Sequence, residues 1–372
     1  MPFTSMPSGH HQVADAISDY VKKRKPAWNC KKINFLSTLN PAAEKAGIQV
    51  YLKWIDMAPR SYNRLYARFG YTRSPKDASV LKWSHRLLMT PLERILCEEE
   101  PDLVVCTHGF SSFLMNALKK QMRCRVPVVN VCTDFFMNDF WGRTDIDHHF
   151  VPHRAVKRTL IDEHGVPPSR ITVAGIPVHE KFSQRIEART HTPPYRILIS
   201  GGNQGLLDVS SLFSDSNQPS VQYLVLCGNN AKLYEKLART RLWNVQPLAY
   251  VHSKAKMNAL YDQADAIVTK PGGVTISEAF RKRLPIFIHH ALPGQEQVNL
   301  AYLCREHVVW PLHDRKPLDR QILTVFKDPA KLSVLQYGMQ RHLNDIDADG
   351  CQAVIDYASQ LVDARKPAAT KN

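Results

Sequence analysis

Short apolar runs that end on polar residues recur along this chain, separated by stretches with helical periodicity. In the first half they are Asp102-Leu-Val-Val-Cys-Thr107, Val126-Pro-Val-Val-Asn-Val-Cys-Thr133 and Ile171-Thr-Val-Ala-Gly-Ile-Pro177. In the second half Arg196-Ile-Leu-Ile-Ser200, Gln222 to Cys227, Val245 to Tyr250, Ala266-Ile-Val-Thr269 and Pro285-Ile-Phe-Ile288 repeat the theme. Runs of this length that are apolar on both faces predict buried strands, and strands alternating with helices predict parallel sheets. A strand fragment at Phe3 to Met6, a turn at Pro7-Ser-Gly-His-His11, and a helix with Val13, Ala16, Ile17, Tyr20 and Val21 on one face open the series. That opening is Rossmann-like, but it lacks Gly-x-Gly-x-x-Gly spacing, so no dinucleotide is implied. The polar stretch with Thr192-Pro-Pro194 reads as a linker. The expected division is a first domain over 1–178, a linker over 179–194 and a second domain over 195–351. A helix over 352–365 is expected to return to the first domain, with a disordered tail over 366–372.

One stretch changes the picture from fold to chemistry. Thr269-Lys-Pro-Gly-Gly-Val-Thr-Ile-Ser-Glu278 joins an apolar strand to a helix through Pro271-Gly-Gly273, a turn that only glycine fills easily, with hydroxyls in the first helical turn. A helix start offers unpaired N–H groups and roughly half a positive charge, which suits a pyrophosphate; Glu278, one turn in, is placed to accept hydrogen bonds from a ribose diol. An ordinary glycine turn remains the alternative for so short a motif. The next loop, Pro293-Gly-Gln-Glu-Gln-Val-Asn299, follows another strand and opens another helix. Its Gln295, Glu296 and Asn299 are of the types that read sugar hydroxyls, unless they only cap a surface helix. Two adjacent strand ends presenting polar groups make a crevice of the kind that binds ligands in open parallel sheets.

These two motifs together resemble the donor half of glycosyltransferase family 28, in particular the processive diacylglycerol glucosyltransferases and the monogalactosyldiacylglycerol synthases. The likeness extends in order to Ser8-Gly-His-His-Gln-Val-Ala14, Asn130-Val-Cys-Thr-Asp-Phe135 and Val173-Ala-Gly-Ile-Pro177. It implies an α/β protein of GT-B fold, two Rossmann-like domains facing a central cleft. His10 falls on the histidine of the family's Gly-His signature, where it would take a proton from an attacking hydroxyl; a helix-capping histidine is the plainer alternative, with His11 as decoy. Asp134 falls in the Thr-Asp-Phe motif and would orient that base or bind an acceptor hydroxyl, unless it is a helix N-cap. On the donor side the resemblance implies contacts from Gly201, Gly202 and Asn203, from Gly228 and Asn229, from the uracil-reading segment at Tyr250 and Val251, and from Lys270, Gly272, Gly273 and Thr275. The implied reaction is inverting transfer of glucose from UDP-glucose, or galactose from UDP-galactose, to diacylglycerol, with repeated transfer as an option. A polyprenyl-linked saccharide acceptor and a non-catalytic UDP-sugar sensor are the alternatives. No cofactor is implied, since the UDP-sugar is the donor substrate. Neither donor loop contains Asp-x-Asp, so the helix start and Lys270 would meet the leaving-group charge in place of a metal.

Charge then bears on the partner. A formal net charge of +15 over 372 residues points to an anionic surface. No nucleic-acid-binding motif appears, which favours the inner membrane leaflet over nucleic acid. From Tyr51 to Leu96, Trp54, Tyr62, Tyr66, Phe69, Tyr71 and Trp83 interleave with Lys53, Arg60, Arg64, Arg68 and Arg73. Aromatics and cations in that mixture describe a membrane-docking surface, though the same aromatics fit helical core spacing. No run reaches the roughly 20 apolar residues of a membrane span, and the first residues lack the apolar core of a secretory signal, so a cytoplasmic protein bound peripherally to the membrane is expected. The eight cysteines show no ligand or disulfide spacing and read as small core residues. His148, His149 and His153 lack a carboxylate at matching spacing and read as strand-end residues rather than metal ligands.

Overall fold

A computed structural model describes residues 8–35, 57, 78–182, 191–201, 213, 219–240, 242–313 and 316–365, the side chains of 78–88 and 365 excepted. The expected strand at Phe3 to Met6, the loop residues Gly202 and Asn203, the arginines Arg60, Arg64, Arg68 and Arg73 and the tail over 366–372 lie outside the described residues. The chain divides into two compact units. One comprises Met1–His179 with Asp345–Asn372, the other Glu180–Asn344.

The first unit holds a parallel sheet in the order β1-β2-β3-β4, formed by Val104–Cys106, Val128–Val131, His148–Val151 and Ile171–Val173. Every residue of β2 and β3 is buried, as in strands covered on both faces, although β3 opens on His148-His149 and is not among the apolar runs. The covering helices are α1 (Gly9–Arg24), α2 (Ala78–Glu99), α3 (Gly109–Lys120) and α4 (Arg154–Asp162). Helix α1 buries Val13, Ala16, Ile17, Tyr20 and Val21, the stripe read from the sequence. Met89 and Leu92 of α2 join Leu114, Met115 and Leu118 of α3 in the core. One face of the last turns of the Tyr51 to Leu96 segment is therefore core, while Thr90 and Arg94 on the same turns are exposed.

In the second unit six strands lie parallel in the order β10-β9-β8-β5-β6-β7. They are β5 (Tyr195–Ser200), β6 (Val221–Leu226), β7 (Val245–Leu248), β8 (Ala266–Thr269), β9 (Ile286–Ile288) and β10 (Trp310–Pro311). Helices α5 (Ala231–Thr240), α6 (Lys254–Gln263), α7 (Gly273–Arg281), α8 (Gln295–Arg305), α9 (Leu318–Phe326) and α10 (Pro329–Asn344) connect or follow them. The chain runs outward from β5 to β7, returns to the other side of β5 as β8, and runs outward again. This is the Rossmann order, and its switch point falls between β5 and β8, where Ser200 pairs with Thr269.

After the second unit the chain re-enters the first as α11 (Gly350–Arg365). Tyr20 donates a 2.6 Å hydrogen bond to Gln352, and the Tyr357 ring lies 4.6 Å from that of His148 in β3. A Cβ at Gly350 would sit 2.9 Å from Pro177, so the close approach of α11 to the end of the first sheet requires glycine there. The cysteines divide: Cys106, Cys124, Cys132, Cys227 and Cys351 are buried as expected, Cys30 and Cys304 are half-buried, and Cys97 is exposed. All eight are free thiols.

Candidate functional site

Two polar clusters form at strand ends, one in each unit, and each is built by residues the sequence motifs single out. In the second unit β8 ends at the buried Thr269, and Lys270 and Pro271 lead to Gly272, the residue before α7. No side chain caps this helix. Helix geometry then leaves its first amides aimed past the end of β8, with the positive end of the dipole behind them. The expectation that the turn needs glycine for its backbone is corrected. Gly272 has φ −82° and ψ 138°, open to any residue, and Gly273 is the first helical residue. The glycine supplies space instead, for among the described residues a Cβ on Gly272 would meet nothing within 4 Å. Thr275 is half-buried in the first turn, while the Ser277 hydroxyl donates back to Gly273 O at 2.8 Å.

Glu278 is buried, and the phenol of Tyr261 on α6 donates to its Oε2 at 2.9 Å. Burial pushes this carboxyl up to about 7, against the opposing pull of the Lys254 ammonium and the Tyr261 hydrogen bond. The sequence places this carboxylate to accept hydrogen bonds from a ribose diol; one of its oxygens is already held inside the protein.

Lys270 sits 3.2 Å from Glu296 Oε1, and Glu296 Oε2 accepts from the Leu292 amide at 2.7 Å. Glu296, expected to read sugar hydroxyls, thus holds a lysine and closes the turn ahead of α8. Gly294 in that turn has φ +86°, where glycine is needed for its backbone. Gln295 is half-buried at the start of α8, and Asn299 is fully buried one turn on. Gly201 follows β5; Gly228, at φ +56°, and Asn229 follow β6; Tyr250, exposed, and Val251 follow β7. All of these lie at the carboxyl ends of parallel strands and so along one edge of the sheet.

In the first unit His10 occupies the first turn of α1 and reaches across to the ends of β1 and β2. Its Nδ1 lies 2.9 Å from the Thr107 carbonyl and 2.6 Å from the Thr133 hydroxyl. A carbonyl only accepts, so Nδ1 carries the ring proton and Nε2 is the basic nitrogen. Burial lowers the proton affinity of His10 below the ordinary 6.5, while the negative charge of Asp134 and the Thr107 carbonyl raise it. The His108 ring stands edge-on to His10 at 4.5 Å. Its own Nδ1 accepts from the Phe110 amide at 3.0 Å, and burial holds it neutral, well below 6.5. His11 instead bonds to Ser8 Oγ at 3.1 Å, outside this cluster.

His148, His149 and His153 are each held by protein partners. His149 lies within β3, donating from Nε2 to Arg143 O (3.0 Å) and accepting on Nδ1 from Asn130 (3.2 Å). His148, also within β3, pairs with Thr172 at 2.9 Å, and His153 precedes α4 and donates to Phe135 O at 2.8 Å. His148 is the first residue of β3 and His149 the second, and burial drives both down to about 4. Among the described residues no group of histidine, cysteine or carboxylate side chains is arranged to hold a metal.

Tyr261, Thr107, Thr133 and His108 are cluster members that motif reading did not assign. Thr133 stood beside Asp134 in the quoted motif. Tyr261 had no local signal beyond its spacing of one heptad from Lys254, which puts both on one face of α6.

Residues 10–178 match the family model described as monogalactosyldiacylglycerol (MGDG) synthase. The chain is 38% identical over 351 residues to an uncharacterized glycosyltransferase, YkoN, of Bacillus subtilis, covering 93% of this chain and 92% of that protein. It is 27% identical over 344 residues to a processive diacylglycerol beta-glucosyltransferase of Bacillus cereus, covering 90% and 86%. Among solved structures it resembles Acinetobacter baumannii MurG with a TM-score of 0.52 at 14% identity, over 75% of this chain and 79% of that one. The calicheamicin glycosyltransferase CalG4 matches with a TM-score of 0.52 at 13% identity, over 80% and 83%.

Proposed function

This chain belongs to glycosyltransferase family 28 and has the GT-B fold, and from that premise we propose that it transfers a hexose, glucose first, from its UDP-sugar to diacylglycerol with inversion. The observation that carries the donor half is the uncapped start of α7 at the Rossmann switch point, with open space over Gly272. A diphosphate seats there on backbone amides, Lys270 turns its ammonium from Glu296 to the phosphate oxygens, and Glu278 receives the ribose. Gly201, Gly228, Asn229, Tyr250 and Val251 supply the rest of the nucleotide's surroundings, and Gln295 faces the hexose with the buried Asn299 one turn behind it.

His10 supplies the base. With Nδ1 donating to Thr107, the Nε2 lone pair accepts the proton of the acceptor hydroxyl while that oxygen forms its bond to the anomeric carbon. The bond from the anomeric carbon to the diphosphate breaks on the opposite face, and the electron pair leaves with UDP. The imidazolium that forms is stabilised by Asp134, whose charge favours the protonated ring. The departing diphosphate is met by α7 amides and Lys270.

An apolar acceptor stays in a bilayer, so the enzyme works at the membrane surface. The charge of +15 supports an anionic leaflet as that surface. Among the described residues no helix is long and apolar enough to cross a membrane.

The test incubates the protein with UDP-glucose or UDP-galactose and vesicles carrying either diacylglycerol or a polyprenyl-linked saccharide, and identifies the lipid products by mass spectrometry. Hexosyl-diacylglycerol is expected. Hexose transferred only to a polyprenyl-linked saccharide, or UDP bound without transfer, overturns the reading.

A further inference from the structure

Helices α6 and α7 are tied together twice, away from the loops that form the donor site. Tyr261 donates to Glu278 Oε2 at 2.9 Å, and Lys282, one turn further along α7, bonds to Asp262 Oδ1 at 2.8 Å. Both Tyr261 and Lys282 are almost wholly buried. The Tyr261 ring is itself fixed by an edge-on contact with Phe182 at 5.4 Å. With the ring so held, the phenol proton points to Oε2 of Glu278. We infer that Tyr261 is a positioning residue of the donor site, holding the Glu278 carboxyl by Oε2 so that Oε1 is left to accept from the ribose hydroxyls of a nucleoside diphosphate sugar. The inference rests on the proposed ribose role of Glu278 and adds to it a device on another helix.

Proton balance makes the device observable. Glu278 is faced from α6 by the Lys254 ammonium and the Tyr261 phenol, and on its own helix Lys282 is paired with Asp262. Burial raises the carboxyl to about 7, and the Tyr261 bond is one of two influences opposing that rise. Tyr261→Phe keeps the ring and its packing on Phe182 but removes the donor. The carboxyl then holds its proton to higher pH, and a protonated carboxyl accepts the diol poorly.

The experiment is calorimetric titration of UDP into the full chain between pH 6 and 9, for the native protein, Tyr261→Phe, Glu278→Gln and the double variant. Tyr261→Phe should weaken UDP binding roughly tenfold at pH 6.5, with recovery toward the native value by pH 9, because alkali restores the ionised form. Glu278→Gln should weaken binding at every pH, and adding Tyr261→Phe to it should change little. A loss in Tyr261→Phe that is the same at pH 6.5 and pH 9 means that the tyrosine is only packing, and the inference fails. Native affinity of Tyr261→Phe at every pH also overturns it. If Glu278→Gln binds UDP like the native protein, the ribose role falls instead, a different and separable result.

Discussion

Glu278→Gln turns the burial of one carboxyl into a measurable change in stability. In the unfolded chain Glu278 titrates near the ordinary 4.5, in the folded protein near 7. Below pH 4.5 it is protonated in both states, and folding gains or loses nothing from it. Between these values the unfolded chain releases a proton that the folded protein keeps, so stability falls as pH rises, by about 1.4 kcal/mol per pH unit. Above pH 7 the group is ionised in both states and the penalty is constant, about 3 kcal/mol for the whole interval. Glutamine keeps an acceptor for Tyr261 and carries no charge to bury. The variant should match the native protein near pH 4.5 and exceed it at pH 8 by about 2–3 kcal/mol, some of the gain being offset by the new amide protons. For a unit of this size that is a rise in melting temperature of several degrees at pH 8, at roughly 2–4 °C per kcal/mol. Differential scanning calorimetry at the two pH values reads it directly. A variant no more stable than the native protein at pH 8 would show that the carboxylate is comfortably solvated in its site, and the argument from burial would be wrong. The same substitution should weaken UDP binding, making the residue one that function retains against stability.

Further outcomes follow from the two strand-end clusters and the net charge. His10→Ala should lower kcat by about 10² with UDP affinity intact, and His11→Ala should be milder; the acid limb of the native kcat profile should lie below pH 6.5, since His10 stays neutral there. A larger loss from His11→Ala would move the base by one residue. Gly272→Ala should leave the melting temperature about unchanged, because its backbone suits alanine and nothing among the described residues crowds it. It should weaken UDP binding roughly tenfold by filling the space over the α7 amides, and unchanged affinity would place the diphosphate elsewhere. Replacing Arg60, Arg64 and Arg68 together by Gln should weaken binding to phosphatidylglycerol vesicles by roughly two powers of ten, at about 1 kcal/mol per arginine, with neutral vesicles unaffected. Equal sedimentation of native and triple variant at low salt would assign membrane contact to another surface.

What was legible in the sequence was whatever local pattern determines. The strands β2, β5, β8 and β9 are apolar runs with polar ends, and the α1 stripe from Val13 to Val21 is helical periodicity, so both appear where the pattern puts them. The start of α7 was legible for the same reason, being a strand, a turn and a helix in immediate succession. What stayed hidden depends on elements distant in sequence. The Thr107 and Thr133 partners of His10 lie 97 and 123 residues away, and Tyr261 meets Glu278 from a different helix. Glu296 shows a subtler limit. Its residue type fits sugar recognition, and the lysine and backbone amide that lie against its oxygens are partners the residue type does not announce. The glycines show the converse, for two adjacent glycines suggest an unusual backbone, while Gly272 provides room.

The return of α11 to the first unit reverses the order in which the protein can be finished on the ribosome. Everything in the second unit, Glu180 to Asn344, has been translated before the helix that caps α1 and β3 exists. Until Gln352 and Tyr357 emerge, Tyr20 lacks its acceptor and His148 its ring partner, so the side of the first unit that α11 covers stands open to water. The later-encoded unit is therefore the first to be complete. Chain termination shortly before Gly350 would leave a finished six-stranded unit attached to an unfinished, sticky one, a product better suited to chaperones than to catalysis.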